Sequence, residues 1–258
     1  MDAGRSTRRA VTCVILGALA LVLVTVGSGP AAAAKGQKLG LALCAPDENT
    51  FTLGINNAYF PLLTGAQWVF TGKESRQRVG LRIRVLDQTE DLYGSPGTKK
   101  MDTRVVEEIE WFDADGDGVI DANENLIEFS LNYFAQTTPG GTVCYFGEIV
   151  DIYDGGVVVS HAGSWRADGA GNAPGIFMPA LPKVGMTWDQ EAAPGVAEDQ
   201  VTVLSSGTVT VPAGTFANAI RVRDVNPLDG SKGVKWYAPG VGLVVDGPLT
   251  LVSSSMLP

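Results

Sequence analysis

Residues 113–124, DADGDGVIDANE, bring five carboxylates together with no Lys or Arg among them. Asp113, Asp115 and Asp117 stand at positions one, three and five of the stretch, Asp121 at nine and Glu124 at twelve. A calcium ion takes six to eight hard oxygens at about 2.3–2.6 Å, and a short chain supplies them only by curling around the ion. In such a loop the first three aspartates give side-chain oxygens and Val119, at position seven, gives its backbone carbonyl. Asp121 coordinates through a water and Glu124 closes the shell with both carboxylate oxygens. Gly118 falls at position six, where the turn needs a residue without Cβ, and Ile120 at position eight is an apolar anchor. Without a cation the converging carboxylates would repel one another and some pKa values would rise, so a plain acidic turn explains the spacing less well. Magnesium is also a poorer fit, because it demands a rigid octahedron and keeps several waters. The expected ligands are therefore Asp113, Asp115, Asp117, Val119, Asp121 and Glu124, and the expected cofactor is calcium.

Position by position the stretch resembles the calcium loop of an EF-hand. The resemblance implies a helix on each side, but the flanks read otherwise. Residues 126–134 (LIEFSLNYF) alternate Ile127, Phe129, Leu131 and Tyr133 with Glu128, Ser130 and Asn132, and Phe134 breaks the pattern. Residues 103–112 (TRVVEEIEWF) are rich in β-branched and aromatic side chains. A calcium loop joining two strands is expected. Sensor EF-hands work in pairs and open a groove; with a single loop here, the ion is expected to be structural.

The elements that must hold this loop follow from the rest of the chain. Residues 1–34 read as an export signal, with Arg5, Arg8 and Arg9 ahead of an apolar run and an A-x-A site within 31–34. The arginine pair leaves the general and twin-arginine routes both open. Removing this segment takes away three arginines and one aspartate, so the net charge of −9 becomes −11. So acidic a chain has no footprint for nucleic acid or for an anionic membrane surface. The expected product is secreted, with no stable membrane insertion. Of the three cysteines, Cys13 leaves with the signal, and Cys44 and Cys144 make an even pair in an oxidising compartment, expected as a disulfide. It would tie an N-terminal extension, residues 35–55, to a single β-rich domain, residues 56–258.

In residues 76–86, Val79, Leu81, Ile83 and Val85 alternate with Arg78, Gly80, Arg82 and Arg84, a half-buried strand with a basic outer face. The arginine row is expected to pair across the sheet with acidic residues of the next strand, Glu108 and Glu110 among them. Ser95, Pro96 and Gly97 mark a turn. Further strands are expected at 142–153, 157–165, 186–191, 198–205, 207–211, 216–224, 233–237 and 242–245, with a Gly/Pro-rich loop at 168–183. Short, evenly spaced strands imply an all-β fold, an antiparallel sandwich or open barrel with the calcium loop inserted in one hairpin.

Six phrases, NNAYFPLLTGAQWVF (56–70), YFGE (145–148), GSW (163–165), PGIFMPALPKVG (174–185), VTVPAGTFANAI (209–220) and KWYAPGVGLVV (235–245), resemble a family of uncharacterised secreted bacterial proteins. The resemblance implies an exported β-rich protein and no catalysis; the chain departs from it at 113–124, where the family has a shorter acidic turn. His161 is the one histidine, and with no G-x-S-x-G elbow beside Ser160 or Ser164 a serine triad is not expected. The expected function is a calcium-stabilised binding module, outside the cell or in its envelope, whose ligand class includes carbohydrate. Trp165, Trp188 and Trp236 suit such a concavity or, more simply, core packing. The alternative is a hydrolase with its cleft under residues 168–183, drawing two carboxylates from Glu148, Asp151, Glu191, Glu198 and Asp199, about 5–10 Å apart.

Overall fold

The structure, a computed structural model, describes residues 36–93, 101–122 and 124–257. The export signal and the turn at Ser95, Pro96 and Gly97 lie outside the described residues. Among those described, the chain forms a 3-10 helix, Leu41–Cys44, and a succession of strands: β1 (Thr50–Thr52), β2 (Ile55–Asn57), β3 (Phe60–Leu62), β4 (Gln67–Glu74), β5 (Gln77–Leu92), β6 (Met101–Phe112), β7 (Asn125–Thr138), β8 (Val143–Asp154), β9 (Val157–Ser160), β10 (Trp165–Arg166), β11 (Gly175–Met178), β12 (Thr187–Asp189), β13 (Gln200–Val211), β14 (Gly214–Val225), β15 (Lys232–Ala238), β16 (Gly242–Asp246) and β17 (Leu249–Ser254).

Two antiparallel meanders, β4 to β8 and β13 to β17, carry the fold. Across the sheet they run β8-β7-β6-β5-β4-β17-β16-β15-β14-β13, so the halves join where Leu251 of β17 lies opposite Phe70 of β4. The sheet does not close into a barrel, in agreement with the expected all-β class. Tight turns hold the meanders together. Gly155 (φ 57°) and Gly156 (φ 80°) separate the paired Asp154 and Val157, a two-residue turn whose left-handed residues match the twist of the flanking strands.

Packing around Asn57 brings distant stretches of the chain together. Asn57, 5% exposed, uses all four of its amide bonding positions. Its Nδ2 donates to the carbonyls of Gly141 and Pro179, each at 3.0 Å, and its Oδ1 accepts from the N–H groups of Tyr59 (2.9 Å) and Phe60 (3.2 Å). Phe60 packs on Phe134, Phe177 and Tyr237. Trp68 Nε1 donates to Val241 at 2.7 Å, and the Tyr59 hydroxyl to the Asn218 carbonyl at 3.0 Å. Asn57 thus ties the β7–β8 turn and the segment after β11 to β2, and Tyr59 and Trp68 reach on to residues 218 and 241.

The expected disulfide is present: Cys44 and Cys144, both fully buried, join the 3-10 helix to β8. Beside it, β1 pairs with Gln136–Thr138 of β7 where β6 has left that edge. Residues 168–183 are not wholly a loop. β11 lies within them and pairs with β8, because Ile176 and Met178 are buried there.

The break at Phe134 marks a bulge. The register between β7 and β8 shifts from Tyr133 opposite Gly147 to Phe134 opposite Tyr145, leaving Phe146 as the extra residue. The expected pairing of the arginine row needs correction. Arg82 and Arg84 do pair with β6, but with Glu107, at 3.4 and 3.2 Å. Glu108 and Glu110 stand opposite Ile83 and Leu81. With a side-chain period of two, they share the inner face with those apolar residues.

Candidate metal centre

The loop of residues 113–124 links β6 to β7, so the flanks are strands, as their alternation predicts. β6 delivers Asp113 at its end, where the Asp113 N–H donates to the Arg78 carbonyl of β5 at 3.1 Å. Asp113 is buried, 2% exposed. Its Oδ1 accepts from the N–H groups of Gly116 (3.1 Å) and Gly118 (3.2 Å), both glycines being left-handed at φ 83° and 71°. Asp115 Oδ1 and Asp117 Oδ1 likewise accept from the N–H groups of Asp117 and Val119, at 3.1 and 2.7 Å. This curl brings one carboxylate oxygen from each of Asp113, Asp115 and Asp117 within 4.8 Å of one another. Oxygens on opposite sides of a calcium ion stand about 5 Å apart, twice the metal–oxygen distance, so the three fit around one cation.

Glu124 returns the chain toward the same place. Its Oε1 accepts from the Ala114 N–H at 3.1 Å, while Oε2 is buried without a hydrogen-bond partner among the described residues. Its carboxyl is raised above the ordinary value, by desolvation first and by Asp113, Asp115 and Asp121 besides, with the Ala114 N–H acting the other way. A desolvated carboxylate oxygen among like charges fits a cation. Asp121 and the Val119 side chain are exposed, and Ile120 is half-buried.

Sequence reasoning missed the support supplied by β5. Arg78 Nη1 donates to the Asp115 carbonyl at 3.1 Å, so a cation from outside the loop fixes its backbone. Gly80, two residues on, lies under the ring of Trp111, where an added Cβ would stand 2.3 Å from ring carbons. Trp111 is 1% exposed and cannot yield. Gly80→Ala is therefore expected to cost about 1–3 kcal/mol through overpacking, read as a lower urea midpoint. An unchanged midpoint would show that Trp111 moves freely.

His161 lies in a turn with Nδ1 2.7 Å from Asp151 Oδ1 and 3.1 Å from the Val150 carbonyl. Neither nearby serine engages the ring: Ser164 Oγ bonds the backbone of Val150, and Ser160 Oγ accepts from the Ala162 N–H. Trp165 and Trp188 are buried and Trp236 half-buried, with ring N–H groups of the first two unpartnered among the described residues. Of the candidate hydrolytic carboxylates, Glu191 Oε2 accepts from the Asp199 N–H at 3.4 Å and Glu198 Oε1 from that of Gly195 at 3.3 Å. Glu191 and Glu198 border a cavity of 460 Å³ together with Gly171 and Ala173 of the 168–183 segment. Asp151, paired with His161, is not among that cavity's lining residues.

No family model matches this chain, and no curated protein matches. Among solved structures it is similar to a protein of YmcC-like fold from Bacteroides fragilis NCTC 9343, with a TM-score of 0.38 and 16% identity over 77% of this chain and 99% of that one. Among the described residues, no helix is long and apolar enough to cross a membrane.

Proposed function

We propose that this chain is a secreted calcium-binding protein, that its ion rigidifies the β6–β7 hairpin, and that the β-rich body serves as a binding module outside the cell or in its envelope. The observation that carries the calcium reading is the convergence of carboxylate oxygens of Asp113, Asp115 and Asp117 within 4.8 Å of one another, supported by a Glu124 oxygen buried without a hydrogen-bond partner among the described residues. Extracellular sites of this type bind at about 10⁻⁴–10⁻³ M and fill where calcium is plentiful. A second reading, a carboxylate hydrolase, draws support from the cavity beside Glu191 and Glu198; loss of glycan-hydrolysing activity in Glu191→Gln would sustain it.

Trp111, two residues ahead of Asp113, offers a direct probe. Terbium occupying the loop should show luminescence sensitised through this indole, saturate, and be displaced by calcium far better than by magnesium. Asp113→Ala and the gentler Glu124→Gln should both weaken the signal while far-UV circular dichroism stays that of a β-protein. Sensitised emission that persists undiminished in both variants would refute the reading.

A further inference from the structure

On the concave side of the sheet the usual polarity is reversed. β6 turns Glu108 and Glu110 inward, and β7 sets Glu128 directly opposite Glu110 and Ser130 opposite Glu108. Ser130 and Asn132 are buried at 2% and 5%, whereas Phe129 and Leu131 on the other face stay half-exposed. From the second half of the sheet, Lys235 of β15 and Asp246 of β16 reach the same space, their charged ends 3.3 Å apart. With Glu74 from the end of β4 these groups line a cavity of 230 Å³ whose apolar walls include Leu81 and Leu249. Five carboxyls thus face one ammonium, and Lys235 is already engaged with Asp246.

Such a cluster cannot be fully ionised at low cost. Directly opposed residues on one face of a sheet have Cβ atoms about 4.5–5.5 Å apart, which sets Glu110 and Glu128 close enough for like charges to disfavour ionisation of both. The arginines that would offset this charge lie on the opposite face with Glu107. Glu148 of β8 and Glu191 add carboxyls whose charges act on the same groups; Tyr145, whose hydroxyl donates to Asn132 Oδ1, and Tyr237 also lie within electrostatic reach of Glu108. Asp224 and Asp199 stand on the side of Lys235.

We propose that the concave interior is a proton-held latch: the walls formed by β6–β7 and β15–β16 close on each other only while part of this carboxyl cluster carries protons, and proton loss drives them apart. Burial pushes the Glu108 carboxyl up to about 7, with Lys235 opposing and Asp246 and Glu128 adding to the rise. Burial, then Glu74, Glu128, Asp246 and Glu108, push Glu110 up to about 8. In the unfolded chain both ionise near 4.5. The folded state therefore binds more protons between those values, and stability falls as pH rises from about 4.5 to about 8 before levelling off.

The test is a pH series from 5.5 to 9.5, in EDTA, of melting temperature and of radius of gyration from small-angle scattering. The wild type should lose melting temperature progressively from pH 5.5 to about 8 and gain radius of gyration across pH 7–8, where the folded-state carboxyls give up their protons. The double variant Glu108→Gln/Glu110→Gln should hold both near their acid values, while Glu107→Gln, altered on the outer face of the same strand, should follow the wild type. A flat wild-type profile, or a double variant that tracks the wild type, would overturn the latch. So would recovery of the compact form at pH 9 by millimolar calcium in Asp113→Ala, because cations rather than protons would then neutralise the cleft.

Discussion

Removing the Cys44–Cys144 bridge by the double substitution Cys44→Ala/Cys144→Ala is expected to lower the unfolding free energy by about 4–5 kcal/mol. The bridge closes a span of 100 residues, and in the chain-entropy treatment a loop of that size restricts the unfolded ensemble by about 4.7 kcal/mol. The folded state depends on it as well. It holds the 3-10 helix Leu41–Cys44 to β8, beside the three-residue β1 on the edge of β7. For a domain of this size the loss corresponds to a fall in melting temperature of roughly 10–20 °C. Urea unfolding of the two proteins measures it. A midpoint within error of the wild type would mean that the unfolded chain gains no freedom when the bridge is cut.

Asn57→Ala comes next in expected size, at roughly 3–5 kcal/mol. The substitution strips partners from four backbone groups at once: the carbonyls of Gly141 and Pro179, and the N–H groups of Tyr59 and Phe60. Each buried polar group left unpaired costs about 1–3 kcal/mol, reduced where water can reach it. The neighbouring Asn56→Ala is the control. Asn56 is exposed and exchanges two bonds with Gln136, accepting from its Nε2 at 2.7 Å and donating its backbone N–H to its Oε1 at 3.0 Å. Only the first of these is lost in the variant, and a cost near 1 kcal/mol is expected. Equal midpoints for the two variants would contradict the role given to Asn57 as the tie between β2, β11 and the β7–β8 turn.

How much of this was legible in the sequence depended on whether the signal was local. The acidic loop could be read because all its side chains lie within twelve residues, and its two strands because alternation is a short-range pattern. The disulfide followed from compartment and number. What escaped depends on partners distant in the chain. Nothing near Arg78 says that it caps the Asp115 carbonyl, and nothing near Asn57 names Gly141 or Pro179. β17, which joins the two halves of the sheet, has only Leu249 and Leu251 as an inward pair, too brief an alternation to stand out. The inward glutamates were assigned to the wrong face because Glu107, Glu108 and Glu110 all look like partners for arginine until register fixes parity. A one-residue difference in register moves a side chain from solvent to interior, and here it separates an ordinary surface ion pair from a carboxyl-lined cleft.

Calcium titration calorimetry on the full secreted chain tests the central claim most directly. One saturable site is expected, absent in Asp113→Ala, little affected by prior addition of equimolar magnesium, and accompanied by a raised melting temperature. Binding to the native state at a hundred times the dissociation constant would add about 2.7 kcal/mol of stability. No heat and no stabilisation at several millimolar calcium would reduce residues 113–124 to an acidic turn pinned by Arg78.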